Sequence, residues 1–110
     1  MLFISMEDFW NQVSSTPRLS RTEEQLLAQQ ASAGNRAARE ALVRGYLPMA
    51  AAFIRRAPQE LHTLRTVYAC IAAVEKSVDL LTSPQDRMAF LNHLNRNLRQ
   101  CITRCLAGRY

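Results

Sequence analysis

Residues able to recognise a phosphate or a base edge gather near the C-terminal end of the 110-residue chain, where Arg96, Arg99, Gln100, Thr103 and, at the edge of the group, Arg104 recur at spacings of three and four. On a helix that spacing brings them to one side. A guanidinium contacts phosphate oxygens, while an amide or hydroxyl can hydrogen-bond a base edge, so the group suits nucleic-acid reading. An ordinary solvated helix face has the same pattern. The net charge of +5 is uneven: residues 1–83 hold nine Lys or Arg against eight acids, and residues 84–110 hold five Arg against Asp86 alone. The positive field therefore belongs to the C-terminal segment. Thirteen of the fourteen basic residues are Arg, whose planar fork suits phosphates and bases better than Lys does, although a compositionally biased genome gives the same count.

Catalysis finds less support. His62 and His93 are far apart in sequence, and neither sits in a recognisable constellation with an acid, Ser or Cys, so no enzyme activity is expected. The glycines at 34, 45 and 108 form no phosphate loop. Cysteines 70, 101 and 105 are odd in number, and the last two lie one helical turn apart, a poor disulfide geometry. The expectation is reduced, buried small hydrophobes. Cys101 and Cys105 share a helical face, but four ligands for a structural zinc are not evident, and no cofactor or small-molecule substrate is expected.

These side chains need helices to position them. Hydrophobic residues make up 48% of the chain and charged residues 21%, a globular balance, and the Ala, Leu, Arg, Gln and Glu stretches favour helix. Ser5 with Asp8 caps a first helix carrying Met6, Phe9, Trp10 and Val13, which ends before Thr16-Pro17. Ser20 and Glu23 stand in capping-box spacing ahead of a second helix with Leu26, Leu27 and Ala31 as its inner stripe; Gly34 stops it and Asn35 caps a third. The third shows Ala38, Ala41, Leu42, Gly45 and Tyr46, then Pro48 as a kink or a fresh start, then Met49, Phe53 and Ile54. From Pro58 onward Leu61, Leu64, Tyr68, Ile71, Val74, Val78 and Leu81 make an amphipathic stripe. Thr82-Ser83-Pro84 supplies a break and a cap, and a last helix buries Phe90, Leu91, Leu94, Leu98, Ile102, Cys105 and Leu106 before Gly108. The sum is an all-α, compact bundle of about five helices, in which the stripes 61–81 and 90–106 pack antiparallel. Residues 1–18 form an N-terminal helix and linker, and residues 19–110 the main domain. No apolar run approaches the roughly 18 residues that cross a bilayer, and the acidic start MLFISMEDFW points to a cytoplasmic protein with no membrane partner.

The run LSRTEEQLLAQQASAGNRAAREALVRGYLPMAAAFIRRA, residues 19–57, resembles the opening of the core-binding domain, region 2, of housekeeping-type bacterial sigma factors. AVEK at 73–76 and RQCITRCLA at 99–107 look like the ends of that family's two later helices, in the right order. The resemblance implies a transcription initiation protein. One helix would dock on the beta-prime clamp helices of the RNA polymerase core, and the next would read and melt promoter minus-ten DNA. Gln100 and Thr103 fall at the family's base-reading positions, with Arg99 and Arg104 beside them as backbone contacts. The docking side would hold Arg65, Tyr68, Ala69, Ala72, Glu75 and Lys76.

The departures from the family pattern imply an alternative. Where the family has the aromatic residues that hold flipped bases, this chain has His93, Arg96 and Asn97, with Phe90 the remaining ring. The acidic, amide-rich docking motif is replaced by LHTLRTVYA, which puts Arg65 near a basic clamp, and like charges reject a partner. The segment 77–89 is a few residues longer than usual, and no second helix-turn-helix precedes Tyr110. The alternative is thus a sigma-fold interaction protein, a mimic or decoy that binds an anti-sigma factor or polymerase without promoter melting.

Overall fold

The structure, a computed structural model, describes residues 2–80 and 87–108. Five α-helices follow one another, α1 Met6–Ser15, α2 Arg21–Ser32, α3 Arg36–Arg56, α4 Leu64–Asp79 and α5 Arg87–Leu106, with one 3-10 turn at Gln59–Leu61 and no strand among the described residues. The all-α bundle read from the sequence is thus present.

The helix starts are chemically marked. Ser5 Oγ accepts from the Asp8 amide at 3.1 Å, and the Asp8 carboxylate accepts in turn from Ile4 N at 3.0 Å. Ser20 and Glu23 complete a reciprocal capping box, and Asn35 Oδ1 accepts from Ala38 N. Each cap satisfies an amide that the first turn would leave without a partner. Gly34 adopts φ +95° between α2 and α3, a left-handed turn that costs glycine little. The helix α3 runs unbroken through Pro48, so proline neither ends it nor starts a new one there, although it withholds the amide that Arg44 O would receive.

Packing runs mainly between sequence neighbours, α2 on α3, α3 on α4 and α4 on α5. Leu42, Ala51, Ile54, Cys70, Val74, Leu94 and Leu98 are completely buried. Each of the larger ones contributes about 1.5–3 kcal/mol by leaving water. Cys70 lies against Cys101 and Ser77 against Asn97, so α4 and α5 run antiparallel, as expected. Phe3, Phe9 and Val13 join the same core.

Four details depart from the sequence reading. Leu26 is 53% exposed, and Glu24, two residues earlier and so about 200° around the helix, takes the inward place. The stripe that opens at Leu61 does not start a helix there; the chain makes the 3-10 turn first, and Thr63 caps α4. Tyr68 is 38% exposed because Val67 holds the inward phase, completely buried beside it. Leu106 is 54% exposed, since five residues beyond Cys101 puts it about 140° off the buried line. Leu81 and the Thr82-Ser83-Pro84 cap lie outside the described residues.

Candidate nucleic-acid and partner faces

Helix α5 carries two kinds of residue on alternate faces. Inward, Phe90, Leu94, Leu98 and Cys101 are buried. Outward, Arg96, Arg99, Gln100, Thr103 and Arg104 are all exposed, so the structure brings together the group selected by spacing. No Asp or Glu occurs from Arg87 to Leu106. Local bonds hold part of this face in place. Arg99 Nη2 donates to Asn95 Oδ1 at 3.2 Å, and Thr103 Oγ1 donates to Arg99 O at 3.0 Å, leaving the hydroxyl oxygen able to accept.

The positions matching the family's aromatic segment divide. Phe90 is in the core, its ring 5.1 Å from that of Tyr46, and does not belong to the outer face. Asn97 is half-buried and its Nδ2 donates to Ser77 Oγ at 2.8 Å, while Ser77 donates to Ala73 O, which pins α5 to α4. His93 is half-buried, and its Nε2 meets no hydrogen-bond partner among the described residues. Only Arg96 of this set points fully into solvent.

On α4, Arg65, Ala72 and Lys76 are exposed, Glu75 is half-buried and Ala69 is buried. Two side chains of the expected docking side, Tyr68 and Glu75, are already engaged. The Tyr68 hydroxyl accepts from Phe3 N at 3.1 Å, tying the N-terminal segment to the middle of α4. Arg39 of α3 reaches Asp79 at 2.6 and 3.0 Å and Glu75 at 3.4 Å. That contact raises Arg39 above its ordinary range and lowers Asp79, first because the hydrogen bonds between them favour both ionised forms and then because the charges attract. Between α3 and α4 lies a groove of about 510 Å³ with Val43, Tyr68 and Ile71 on its floor and Arg36, Arg39, Glu40 and Glu75 around it.

Sequence reasoning missed Arg39, although Glu75 and Asp79, four apart on one side of α4, mark where a cation from another helix would sit. It also missed Glu24. This carboxylate is nearly buried, accepting from the Tyr46 hydroxyl at 2.8 Å and from Arg87 Nε at 2.7 Å. The Tyr46 hydroxyl is pushed up, first by burial and then by its bond to Glu24. The network spans 63 residues of sequence, so no local pattern announces it.

Among the described residues no group of three or more His, Cys, Asp or Glu is placed to hold a metal ion, and no helix is long and apolar enough to cross a membrane. The geometry therefore offers two faces, a cationic one on α5 and an internally paired one on α4. No protein-family model, no curated protein and no solved structure matches the chain.

Proposed function

We propose that the chain is a cytoplasmic, sigma-factor-like transcription initiation protein without enzymatic activity, which binds RNA polymerase core and lays α5 against promoter minus-ten DNA. The observation that carries this reading is the outer side of α5, where three arginines, Gln100 and Thr103 are exposed together on a helix with no carboxylate. Arg96, Arg99 and Arg104 meet phosphates, and Gln100 and Thr103 supply the base-edge hydrogen bonds. So few phosphate contacts give micromolar or weaker binding in the absence of polymerase, with a log-log salt slope of roughly two or less.

Fluorescence anisotropy tests it, using labelled single-stranded and duplex minus-ten oligonucleotides at two salt concentrations, with and without core polymerase. Arg99→Ala weakens binding to all sequences alike. Gln100→Ala reduces discrimination among minus-ten variants by about 1–3 kcal/mol. Absence of binding in every setting removes promoter reading.

A second reading, the sigma-fold mimic or decoy, is favoured by the burial of Phe90, which leaves no Phe, Tyr or Trp ring exposed on α5 to stack an unpaired base. Arg65→Glu distinguishes the partners in a pull-down. Relief of like-charge repulsion tightens binding to the basic clamp helices of polymerase, whereas an acidic anti-sigma factor loses an attractive contact.

A further inference from the structure

The three cysteines meet where α4 and α5 cross. Cys70 of α4 and Cys101 of α5 are buried with their Sγ atoms 3.7 Å apart. Cys105 lies one helical turn beyond Cys101 on α5, and its thiol interacts electrostatically with Cys101, Thr66 and Arg65. It is the one member of the trio that is partly open to solvent. A disulfide needs its sulfurs at about 2.0 Å, so closing this pair requires the two to approach from 3.7 Å.

We propose that this trio is an oxidation site for hydrogen peroxide, in which Cys105 takes the oxidant and a Cys70–Cys101 disulfide is the product. The Cys105 thiolate attacks one peroxide oxygen; the O–O bond breaks, Cys105 becomes a sulfenic acid, and the departing hydroxide takes up the thiol proton as water. Cys101 sulfur then attacks Cys105 Sγ, the S–OH bond breaks, and a second water leaves with the Cys101 proton. This Cys101–Cys105 disulfide, closed within one helical turn, has poor geometry and is short-lived. Cys70 attacks Cys101 Sγ, the bond to Cys105 breaks, and Cys105 departs as a thiolate that takes up the Cys70 proton. In total two thiols and one peroxide give one disulfide and two waters, with two electrons passing from sulfur to oxygen.

Solvent access orders these roles, since Cys105 alone of the three is partly open. The Cys101 thiol is lowered, chiefly by its hydrogen bond with Cys70, which favours the anionic sulfur needed for the second step. Burial pushes Cys105 up, which lowers its thiolate fraction and makes the attack on peroxide the slow step. The product would join α4 covalently to α5 within the region that Asn97 and Ser77 already pin.

The test is to treat the reduced chain with hydrogen peroxide, alkylate remaining thiols and map peptides by mass. The expected product has lost two hydrogens, retains one alkylatable thiol at Cys105, and links the peptides containing Cys70 and Cys101. Its Tm rises and returns to the starting value with a dithiol reductant. Cys105→Ser slows closure at least about tenfold without changing the product. Cys101→Ala, checked for folding by circular dichroism, stops the sequence at Cys105, where a sulfenic-acid trap labels it. Oxidation confined to Cys105 or linking two chains, with Cys70 and Cys101 still reduced, overturns the site. Closure at the unchanged rate in Cys105→Ser overturns the relay.

Discussion

The outer sides of α4 and α5 are both exposed and charged, yet their polar groups are engaged differently. On α4 the Glu75 and Asp79 carboxylates are held by Arg39 and the Tyr68 hydroxyl by Phe3. On α5 two of the bonds at the surface are local ones along the helix, between Arg99 and Asn95 and between Thr103 and Arg99. A partner docking on α4 must match or displace existing contacts, whereas one docking on α5 meets groups whose charge no neighbouring carboxylate on that helix offsets. The difference separates a face that contributes to holding the fold from one that adds little to it. It also explains why net charge alone is a poor guide: Arg39 of α3 is held by two carboxylates of α4, whereas α5 brings its outer arginines to a side with no carboxylate of its own.

The largest effect should come from beneath both faces. Leu98 is completely buried between them, and Leu98→Ala should cost about 2–5 kcal/mol in a denaturant melt. A loss below about 0.5 kcal/mol, as for a surface site, would deny that the two faces share one core. The next effect sharpens the contrast directly. Tyr68→Phe removes the hydroxyl that receives the Phe3 amide and should lower stability by about 0.5–1.5 kcal/mol. Gln100→Ala, on the other face, should stay within about 0.5 kcal/mol in the same melt. Equal losses would erase the distinction.

The smallest effect is electrostatic. Arg39 holds the Asp79 carboxyl below its ordinary value of 3.8, so the folded chain binds that proton more weakly than the unfolded one. The contribution is complete above the unfolded value and fades as pH falls through the lower folded value. Because the pair is half exposed, about 0.2–1 kcal/mol is expected. Comparison of the native chain with Arg39→Ala at about pH 5 and about pH 2.5 isolates it, since the difference between the two should shrink at the lower pH. A gap that persists in acid would mean that Arg39 acts through packing of its stem.

Much of the fold is legible because its helix ends are local events. Ser5, Ser20 with Glu23, and Asn35 all cap as their spacing foretells, and the interior of α5 follows its period from Phe90 to Leu98. Legibility fails where a distant partner decides the outcome. Periodicity favours Leu26 for the inside of α2, yet Glu24 goes there because Tyr46 and Arg87 satisfy its oxygens. Tyr68 reads as core until Phe3 provides a polar partner at the surface. Spacing also gathers the α5 face correctly, but it cannot show that Asn97 turns toward Ser77 or that the Phe90 ring packs at a tilt against Tyr46. Those outcomes depend on which helices become neighbours.

The contact between Phe3 and Tyr68 also bears on the order in which the molecule assembles. The three main helix packings join segments adjacent in the chain and close short loops, which makes them fast to form. Phe3 meets Tyr68 across 65 residues, and a closure of that length gives up more chain entropy than any turn between neighbouring helices. The N-terminal segment should therefore dock last and release first. Amide hydrogen exchange would show the Phe3 proton leaving through a local opening while those of α3 and α4 wait for global unfolding. Such an opening uncovers Phe9 and the Tyr68 ring together, so the bundle's earliest departure from its native state is the lifting of its own N-terminal flap.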